Sequence, residues 1–479
     1  MAKVSEHYGI AAKQASLEFV DVDISDDTPL FIDPTALRLI GTPLTRECTH
    51  LVQTFFTHIL ELTRDGNPQK AQRLLGSLGE VNETRLGYSD GRARGSGLGP
   101  TLGMLLWNAL STSRAARTGV LADLEEATMF IDNIGPDRVS DLITNIIRGP
   151  LIRFTQAMAG KYRLPLIDNI ITFEWDPRTL RWNEITCSLP VADGRPLLLV
   201  PRMFVQRSRA TFDADQYYRS AVIPYIQDQH LARNSSLVRL LKHGERRKPY
   251  KKTLMAIHTD KKATNVEITQ IAPGVKDSYR STQEKNFDII SQQELSEGVG
   301  VEAPNWDQLL QDVLDTPAGS DHATQYHRAV EKLLTALFFP ALDLPVIEQE
   351  IHQGRKRIDI SYSNIARKGF FHWLHDVHNV MSSEIPVECK NYTDDIANEE
   401  MDQMTGRFGV NRGIVGILCH RKIGNKRRLI DRARDAVSDG RGYVILLDDS
   451  DLIELVEERK RIIDGEDFTY LWSLFRRLL

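Results

Sequence analysis

The chain has 479 residues, a length that predicts about two to four domains. Apolar residues make up 41% of it and charged residues 26%, which excludes a disordered chain, a collagen-like repeat and a coiled coil. Sixty Lys and Arg against 65 Asp and Glu give a net charge of −5. That balance neither predicts nor excludes a nucleic-acid-binding protein, because such binding depends on local basic patches.

The cysteines and the N-terminal sequence indicate the cellular compartment of the protein. Cys48, Cys187, Cys389 and Cys419 are far apart and form no Cys-x-x-Cys pair, a pattern typical of a reducing compartment. The opening MAKVSEHYGIAAKQ lacks the apolar stretch of a secretory signal. No uncharged apolar run of about 18 residues occurs. We therefore expect a cytoplasmic protein with no membrane partner.

Residues 1–240 predict a mostly helical α+β region, and we recognise no family in it. Residues 47–63 and 136–160 have the spacing of amphipathic helices. Pro150 is expected to kink or divide the second helix. The Gly-rich stretch 86–103 lacks the Gly-Lys-Ser/Thr ending of a P-loop and is interpreted as a surface loop.

The composition changes after this region. Residues 239–262 are the densest basic stretch, and five Lys and Arg surround Tyr250 there. Such a basic and aromatic run could follow a nucleic-acid backbone, although a solvated connector explains it equally well. Residues 290–324 are polar and acidic, with Gly and Pro breaks. The predicted domains are a recognition or regulatory region at 1–240, a basic then acidic connector at 241–321, and a final domain at 322–479.

The final domain has the clearest pattern. Its predicted order is α-β-β-β-α-β-α-β, which indicates an α/β domain with a mixed sheet flanked by helices. The insertion 363–381 contains three histidines and is interpreted as an amphipathic lid helix, with a zinc site as a less favoured alternative. The predicted elements are helix Tyr326–Phe339, strands near 346–349, 357–362 and 385–390, helix 398–408, strand 413–419, helix 426–438, strand 443–447, and helices near 450–462 and 467–478.

Two of these strands carry the residues with the most informative chemistry. In RKRIDISY the apolar residues alternate with polar ones, so that Asp359 lies on the polar face. In IPVECKNY, Glu388 and Lys390 share one face, because side chains along a strand repeat every two residues. If the strands pair, Asp359 and Glu388 can share a hard divalent cation such as Mg²⁺. Lys390 would then orient or deprotonate a water, or stabilise charge on the phosphorane.

An Asp on one strand and Glu-x-Lys on the next resembles the PD-(D/E)xK nuclease superfamily, the restriction-endonuclease-like fold. The resemblance covers residues 322–479 and implies metal-dependent hydrolysis of phosphodiesters with Mg²⁺ or Mn²⁺. It implies that Asp359, Glu388 and the backbone carbonyl of Cys389 bind the metal and that Lys390 activates the nucleophile. Ile358 stands where the family name has proline, at a position that varies among its members.

The resemblance implies further site residues. The helix before the strands often supplies a Glu, and Glu331 in YHRAVEKLLTALFF fits that place. Many members carry a Gln on the helix after Glu-x-Lys, and Gln403 is the candidate. Phosphate binding needs basic clusters nearby. The expected contacts to nucleic acid are Arg355, Arg357, Arg407, Arg412, Arg421, Lys422, Lys426, Arg427 and Arg428.

The expected function is that of a metal-dependent endonuclease acting on double-stranded DNA, and family analogy adds the setting of a bacterial defence or restriction effector. A homo-oligomer is expected, because cutting two strands needs two sites. Three alternatives stay open. The chain could be a catalytically inactive nuclease-fold protein that binds nucleic acid or a partner. It could be a nuclease for RNA or branched junctions. Finally, Glu388 and Lys390 could form a surface ion pair of small energetic value.

Overall fold

The computed structural model describes residues 2–79, 81–87, 102–132, 134–207, 212–240, 246–351, 356–394, 396–421, 423–462 and 467–479. The chain forms two compact units. We call Met1–Val4, Val22–Val200 and Phe204–Asp288 the helical unit. We call Ser5–Asp21, Pro201–Met203 and Ile289–Leu479 the sheet unit. Most of the Gly-rich stretch predicted as a surface loop lies outside the described residues.

Helices make up most of the helical unit. Helix Pro43–Arg64 contains the segment predicted at 47–63, and Thr42 caps it by accepting a hydrogen bond from the backbone of Thr45. The division predicted at Pro150 falls at Ile147, and Pro150 lies in the first turn of the second helix, where its missing N–H is not needed. The α-helices are Pro34–Ile40, Pro43–Arg64, Pro68–Leu75, Leu102–Thr112, Arg114–Thr118, Ala127–Phe130, Pro136–Ile146, Arg148–Tyr162, Ala214–Tyr217, Ile223–Ala232, Lys251–Ile257, Lys261–Ile271 and Pro273–Lys285.

The described strands of the helical unit form two-stranded antiparallel pairs. The longest is Ile167–Asp176 with Arg181–Leu189, where Trp175 and Trp182 pack edge to face at 5.6 Å between ring centroids. The shorter pairs are Phe31–Ile32 with Val205–Gln206, Val191–Ala192 with Arg195–Pro196, and Arg239–Leu240 with Arg246–Arg247.

The sheet unit contains a five-stranded mixed sheet. We number its strands β1 (Leu342–Ile351), β2 (Lys356–Asn364), β3 (Glu384–Lys390), β4 (Val415–His420) and β5 (Tyr443–Leu447). Their spatial order is β5-β4-β3-β2-β1. The pairs β1–β2 and β2–β3 are antiparallel, whereas β3–β4 and β4–β5 are parallel. The predicted mixed α/β class, with a mixed sheet in the C-terminal region, is therefore confirmed.

The sheet unit also contains helices. They are α1 (Gln292–Val299), α2 (Trp306–Leu314), α3 (Ala323–Phe338), α4 (Asn398–Thr405), α5 (Lys426–Ser438), α6 (Asp449–Arg461) and α7 (Thr469–Arg476), with a short helix at Gly369–His372. Helix α3 buries Val330, Leu333 and Leu337, and β2 buries Ile360 and Tyr362, in one hydrophobic core. Burial of these apolar side chains stabilises the sheet at about 25 cal/mol per Å² removed from water.

The sheet unit is discontinuous in sequence, and Arg202 shows how its pieces are joined. Its side chain is wholly buried and donates to Asp343 Oδ1 from Nε at 3.0 Å and from Nη2 at 2.8 Å. It also donates to the carbonyls of Ala15 (2.8 Å) and Thr335 (3.1 Å), and its guanidinium lies 3.9 Å from the ring centroid of Phe339. Residues 5–21 and 201–203 are therefore integral parts of this unit.

The range predicted as a connector, 241–321, is largely helical where the structure describes it. Helices Lys251–Ile257, Lys261–Ile271 and Pro273–Lys285 lie in the helical unit, whereas α1 and α2 lie in the sheet unit. Among the described residues, no helix combines the length and the apolar character needed to cross a membrane.

Candidate active site on the central strands

The central feature of the candidate site is the pairing of β2 with β3. Ile360 is the register partner of Val387, which brings Asp359 beside the strand that carries Glu388 and Lys390. Asp359 Oδ2 accepts a hydrogen bond from the backbone N–H of Cys389 at 2.8 Å. Burial, together with the negative charge of Asp359, raises the pKa of Glu388. The two carboxyl groups are therefore close enough to influence each other electrostatically.

Glu388 is a buried carboxylate with cations around it. Its side chain is 1% exposed, and Oε1 accepts from Nε of Arg407 at 3.0 Å. Nζ of Lys390 lies 3.5 Å from Oε2 and donates to Oε1 of Gln403 at 2.9 Å. Oε2 itself accepts no hydrogen bond from the described residues. Because a buried oxygen without a donor is costly, this atom is a candidate ligand for a cation.

The two helices implied by the resemblance both reach this region. Helix α4 brings Gln403 to Lys390, as the family pattern implies. Helix α3 brings Glu331 beside β2, since its backbone carbonyl accepts from the Tyr362 hydroxyl at 3.2 Å. Burial and the Glu331 charge both raise the pKa of Tyr362. Glu331 therefore lies near the sheet at Tyr362, three residues along β2 from Asp359.

Sequence reasoning did not assign a role to His327, which the structure brings into the site. Its Nε2 lies 3.0 Å from the carbonyl oxygen of Cys389 and 3.9 Å from Oδ2 of Asp359. Its side chain is 33% exposed, so the ring lies at the rim of the site. The available signal was its position four residues before Glu331, which places both on the same side of α3.

Arg407 occupies a different place from the one predicted. It was expected to contact phosphate, but its side chain is 8% exposed and pairs with Glu388. It follows the C-terminus of α4, and its backbone carbonyl accepts from Nε of Arg412 at 3.1 Å. A guanidinium held in this way neutralises a carboxylate inside the site and is not available to a ligand at the surface.

Apart from Arg407 and Arg412, which bonds to the Arg407 carbonyl, the predicted nucleic-acid contacts fall into three groups. Arg421 and Lys426 bind within the sheet unit: Arg421 donates to the carbonyls of Val313 (2.5 Å) and Leu314 (2.8 Å), and Lys426 donates to Asp451 at 2.6 Å. The exposed residues are Arg357, which lies 3.5 Å from Glu348 and 3.6 Å from Glu350, and Arg427 and Arg428. Arg355 and Lys422 lie outside the described residues.

The histidines of the insertion have separate partners. Nδ1 of His372 lies 2.9 Å from Asp376, His375 accepts from the backbone of Ser382, and the ring of His378 stacks on Trp373 at 4.6 Å. Within the described ranges, no group of three or more His, Cys, Asp or Glu has the arrangement of a metal site. A cation at Asp359 and Glu388 would therefore draw on backbone oxygen and water as well, which is the usual habit of Mg²⁺.

Comparison with known proteins gives a match over part of the chain. A family model described as a domain of unknown function, DUF8370, matches residues 9–213, which include parts of both units but none of the five strands of the sheet. No curated protein and no solved structure matches the chain.

Proposed function

We propose that the sheet unit is a metal-dependent nuclease that hydrolyses phosphodiester bonds, with double-stranded DNA as its substrate and Mg²⁺ or Mn²⁺ as its cofactor. The observation that carries the proposal is the pairing of β2 with β3, because it brings Asp359 beside Glu388 and Lys390. The Asp…Glu-x-Lys pattern of the PD-(D/E)xK superfamily requires this neighbourhood. The setting in bacterial defence rests on the analogy alone.

The residues present fit a hard divalent cation. Asp359, Glu388 and the carbonyl of Cys389 supply oxygen ligands, and Oε2 of Glu388 accepts no hydrogen bond from the described residues. When bound, the cation supplies Lewis-acid stabilisation of the phosphate and activation of the attacking water.

The side chains have distinct tasks in this proposal. Lys390, fixed by Gln403 at 2.9 Å, orients the nucleophile or takes its proton. His327 fixes the Cys389 carbonyl from the α3 side at 3.0 Å. Arg407 balances the charge of Glu388 and so competes with a cation for the same carboxylate.

A cleavage assay tests the proposal. Purified protein is incubated with plasmid, linear duplex, single-stranded DNA and RNA, in Mg²⁺, Mn²⁺ or chelator. Glu388→Gln, which keeps the shape of the side chain, is expected to reduce metal-dependent cleavage by about 100-fold or more. Glu384→Gln is the matched control on the same strand, where the carboxylate accepts a hydrogen bond from Ser361 Oγ at 3.3 Å. Undiminished cleavage by Glu388→Gln would refute the assignment.

One observation favours a second candidate, a catalytically inactive nuclease fold that binds nucleic acid. Both charged members of Glu-x-Lys already have protein partners, Arg407 for Glu388 and Gln403 for Lys390. Such internal pairing leaves a stable site that needs no cation. Tight binding of nucleic acid in chelator, with no cleavage in either metal, supports this second candidate.

A further inference from the structure

We propose that a groove around Tyr250, in the helical unit, binds single-stranded nucleic acid, with phosphates on its Lys and Arg side chains and a base on the Tyr250 ring. We call it the Tyr250 groove. Its volume is about 940 Å³, and its polar walls include Gln227, Arg239, Lys248, Tyr250, Lys251 and Lys252. All of these residues belong to the helical unit, and none has a role in the proposed hydrolysis.

The sequence concentrates positive charge at this groove. Between Asp228 and Asp260 the chain carries eight Lys and Arg and one acidic residue, Glu245. The whole chain has a net charge of −5, so this segment departs strongly from the balance elsewhere. A phosphate backbone is the polyanion that such a cluster attracts, because binding releases its condensed counterions.

Several of these cations face solvent rather than a protein carboxylate. Arg246 and Arg247 are exposed on a two-residue strand, and Lys252 is exposed on the helix that follows. Lys251 donates to a backbone carbonyl, that of Arg219, at 3.3 Å. Lys248 pairs with Asp228, but both side chains are about half exposed, so the pair holds it weakly.

Tyr250 gives the groove a feature that a purely basic surface lacks. Its ring is 62% exposed, and the guanidinium of Arg239 lies 3.7 Å from the ring centroid. Tyr250 precedes helix Lys251–Ile257, but its side chain makes no capping hydrogen bond. One face of the ring is thus covered by a cation while the rest is open to solvent. An aromatic ring in this arrangement stacks a base, and the bases of single strands are free to stack on it.

Binding is measured on the full chain by fluorescence anisotropy of a labelled oligothymidylate of about 20 nucleotides. Chelator is present throughout, so hydrolysis plays no part and failure of the proposed nuclease leaves the result unaffected. Tyr250→Ala is expected to weaken binding by roughly 5- to 100-fold without changing its salt dependence. Tyr250→Phe, which keeps the ring, is expected to bind as the wild type does.

The cations are tested separately from the ring. Lys251→Gln with Lys252→Gln is expected to weaken binding and to reduce the slope of log K against log salt by about 0.7 for each lost phosphate contact. Arg178→Gln with Arg181→Gln is the matched control, because both arginines are exposed in the same unit, at the turn of its long hairpin. That control is expected to leave affinity and slope unchanged.

Three results would overturn the proposal. Equal affinity of Tyr250→Ala and wild type would remove the stacking contact. If polyphosphate, which has no bases, bound as tightly as the oligothymidylate, the groove would be a general surface for polyanions. A loss of duplex affinity in Tyr250→Ala as large as the loss of single-strand affinity would contradict the form of the ligand. Circular dichroism of each variant verifies that the fold is retained.

Discussion

Arg407 places a positive charge in the interior of the candidate site. Its side chain and that of Glu388 are 8% and 1% exposed, with Nε and Oε1 3.0 Å apart. At this depth neither charge is well solvated, so each depends on the other. Arg407 and a metal cation therefore compete for the Glu388 carboxylate, because either of them can neutralise its negative charge.

This competition leads to a prediction about stability. Arg407→Gln is expected to lower the free energy of unfolding by about 3 kcal/mol, because Glu388 remains buried without its guanidinium. Saturating Mg²⁺ is expected to restore more stability to this variant than it adds to the wild type. Urea unfolding with Mg²⁺ or with chelator measures both effects. An identical response of variant and wild type to Mg²⁺ would argue against a cation at Glu388.

Asp449 gives a pH-dependent prediction. Burial raises its pKa to about 6, although the Arg421 guanidinium 3.6 Å away opposes this. A carboxyl whose pKa is higher folded than unfolded favours folding while protonated, so its contribution is complete below about pH 4 and is lost as the pH rises through 6. The free energy of unfolding of Asp449→Asn is therefore expected to equal that of the wild type near pH 4. At pH 7 it is expected to be higher than that of the wild type by about 2 kcal/mol.

Chemical unfolding at both pH values checks this expectation. Asp431→Asn serves as the control, because that side chain is 57% exposed. The prediction is wrong if Asp449→Asn and the wild type differ in free energy of unfolding by the same amount at pH 4 and at pH 7.

At the scale of elements, a glycine sets how closely α4 approaches the sheet. A Cβ at Gly416 of β4 would lie 1.9 Å from Cε of Met404 and 2.9 Å from the carbonyl of Pro386. Met404 lies on α4, one residue after Gln403, whose amide holds Lys390. The packing of α4 against β4 therefore determines the position of a site residue.

Gly416→Ala is expected to displace α4, because the new Cβ would overlap Met404 of that helix and the backbone at Pro386 cannot move away to make room. Overpacking of this kind costs about 1–3 kcal/mol. Cleavage activity is expected to fall as well, since Gln403 moves away from Lys390. Gly160→Ala is the control, because a Cβ there meets nothing within 4 Å in helix Arg148–Tyr162. Thermal unfolding and the cleavage assay measure the two effects.

Periodicity predicts some of these elements better than others. Helix α5 and strand β5 have the predicted bounds, because each has a regular buried side that the sequence displays. Strand β1 has ten residues where four were predicted. It lies at the edge of the sheet and contains Pro345, and exposed Val346 and Ile347 break the alternation.

Prediction of the candidate site from sequence periodicity has the same limit. Asp359, Glu388 and Lys390 could be predicted because their spacing within two strands decides which face they share. The contacts of Arg407 and His327 depend on tertiary packing that no local pattern encodes. An arginine is ordinarily exposed, so the sequence favours a surface role for Arg407 that the structure does not give it.

At the scale of the whole molecule, the discontinuity of the sheet unit is the feature that residue patterns did not predict. The boundary predicted at 322 excludes Arg202, although Arg202 and Asp343 are both wholly buried. The family match at 9–213 begins within residues 5–21 and includes 201–203, so the matched region contains pieces of a unit whose sheet lies elsewhere.

A fragment of residues 322–479 is therefore expected to be unstable or insoluble on its own, because Asp343 loses its guanidinium and the core loses residues 5–21. In the full chain, Arg202→Met is expected to cost about 3–5 kcal/mol, since it leaves the Asp343 carboxylate buried and unpaired. Limited proteolysis and urea unfolding compare fragment, variant and wild type. A fragment as resistant to proteolysis as the full chain would contradict the expectation.

The same discontinuity constrains how the chain folds during synthesis. Leu17, Phe19 and Val20 are at most 1% exposed in the folded protein, and they leave the ribosome before the sheet of their unit is made. The strands of their unit begin at Leu342. These side chains therefore cannot pack into the core of the sheet unit until the intervening helices have been synthesised. Domains ordinarily fold in order from the N-terminus as they emerge. Here residues 22–200 can begin to fold before the sheet unit, which contains residues 5–21, is complete.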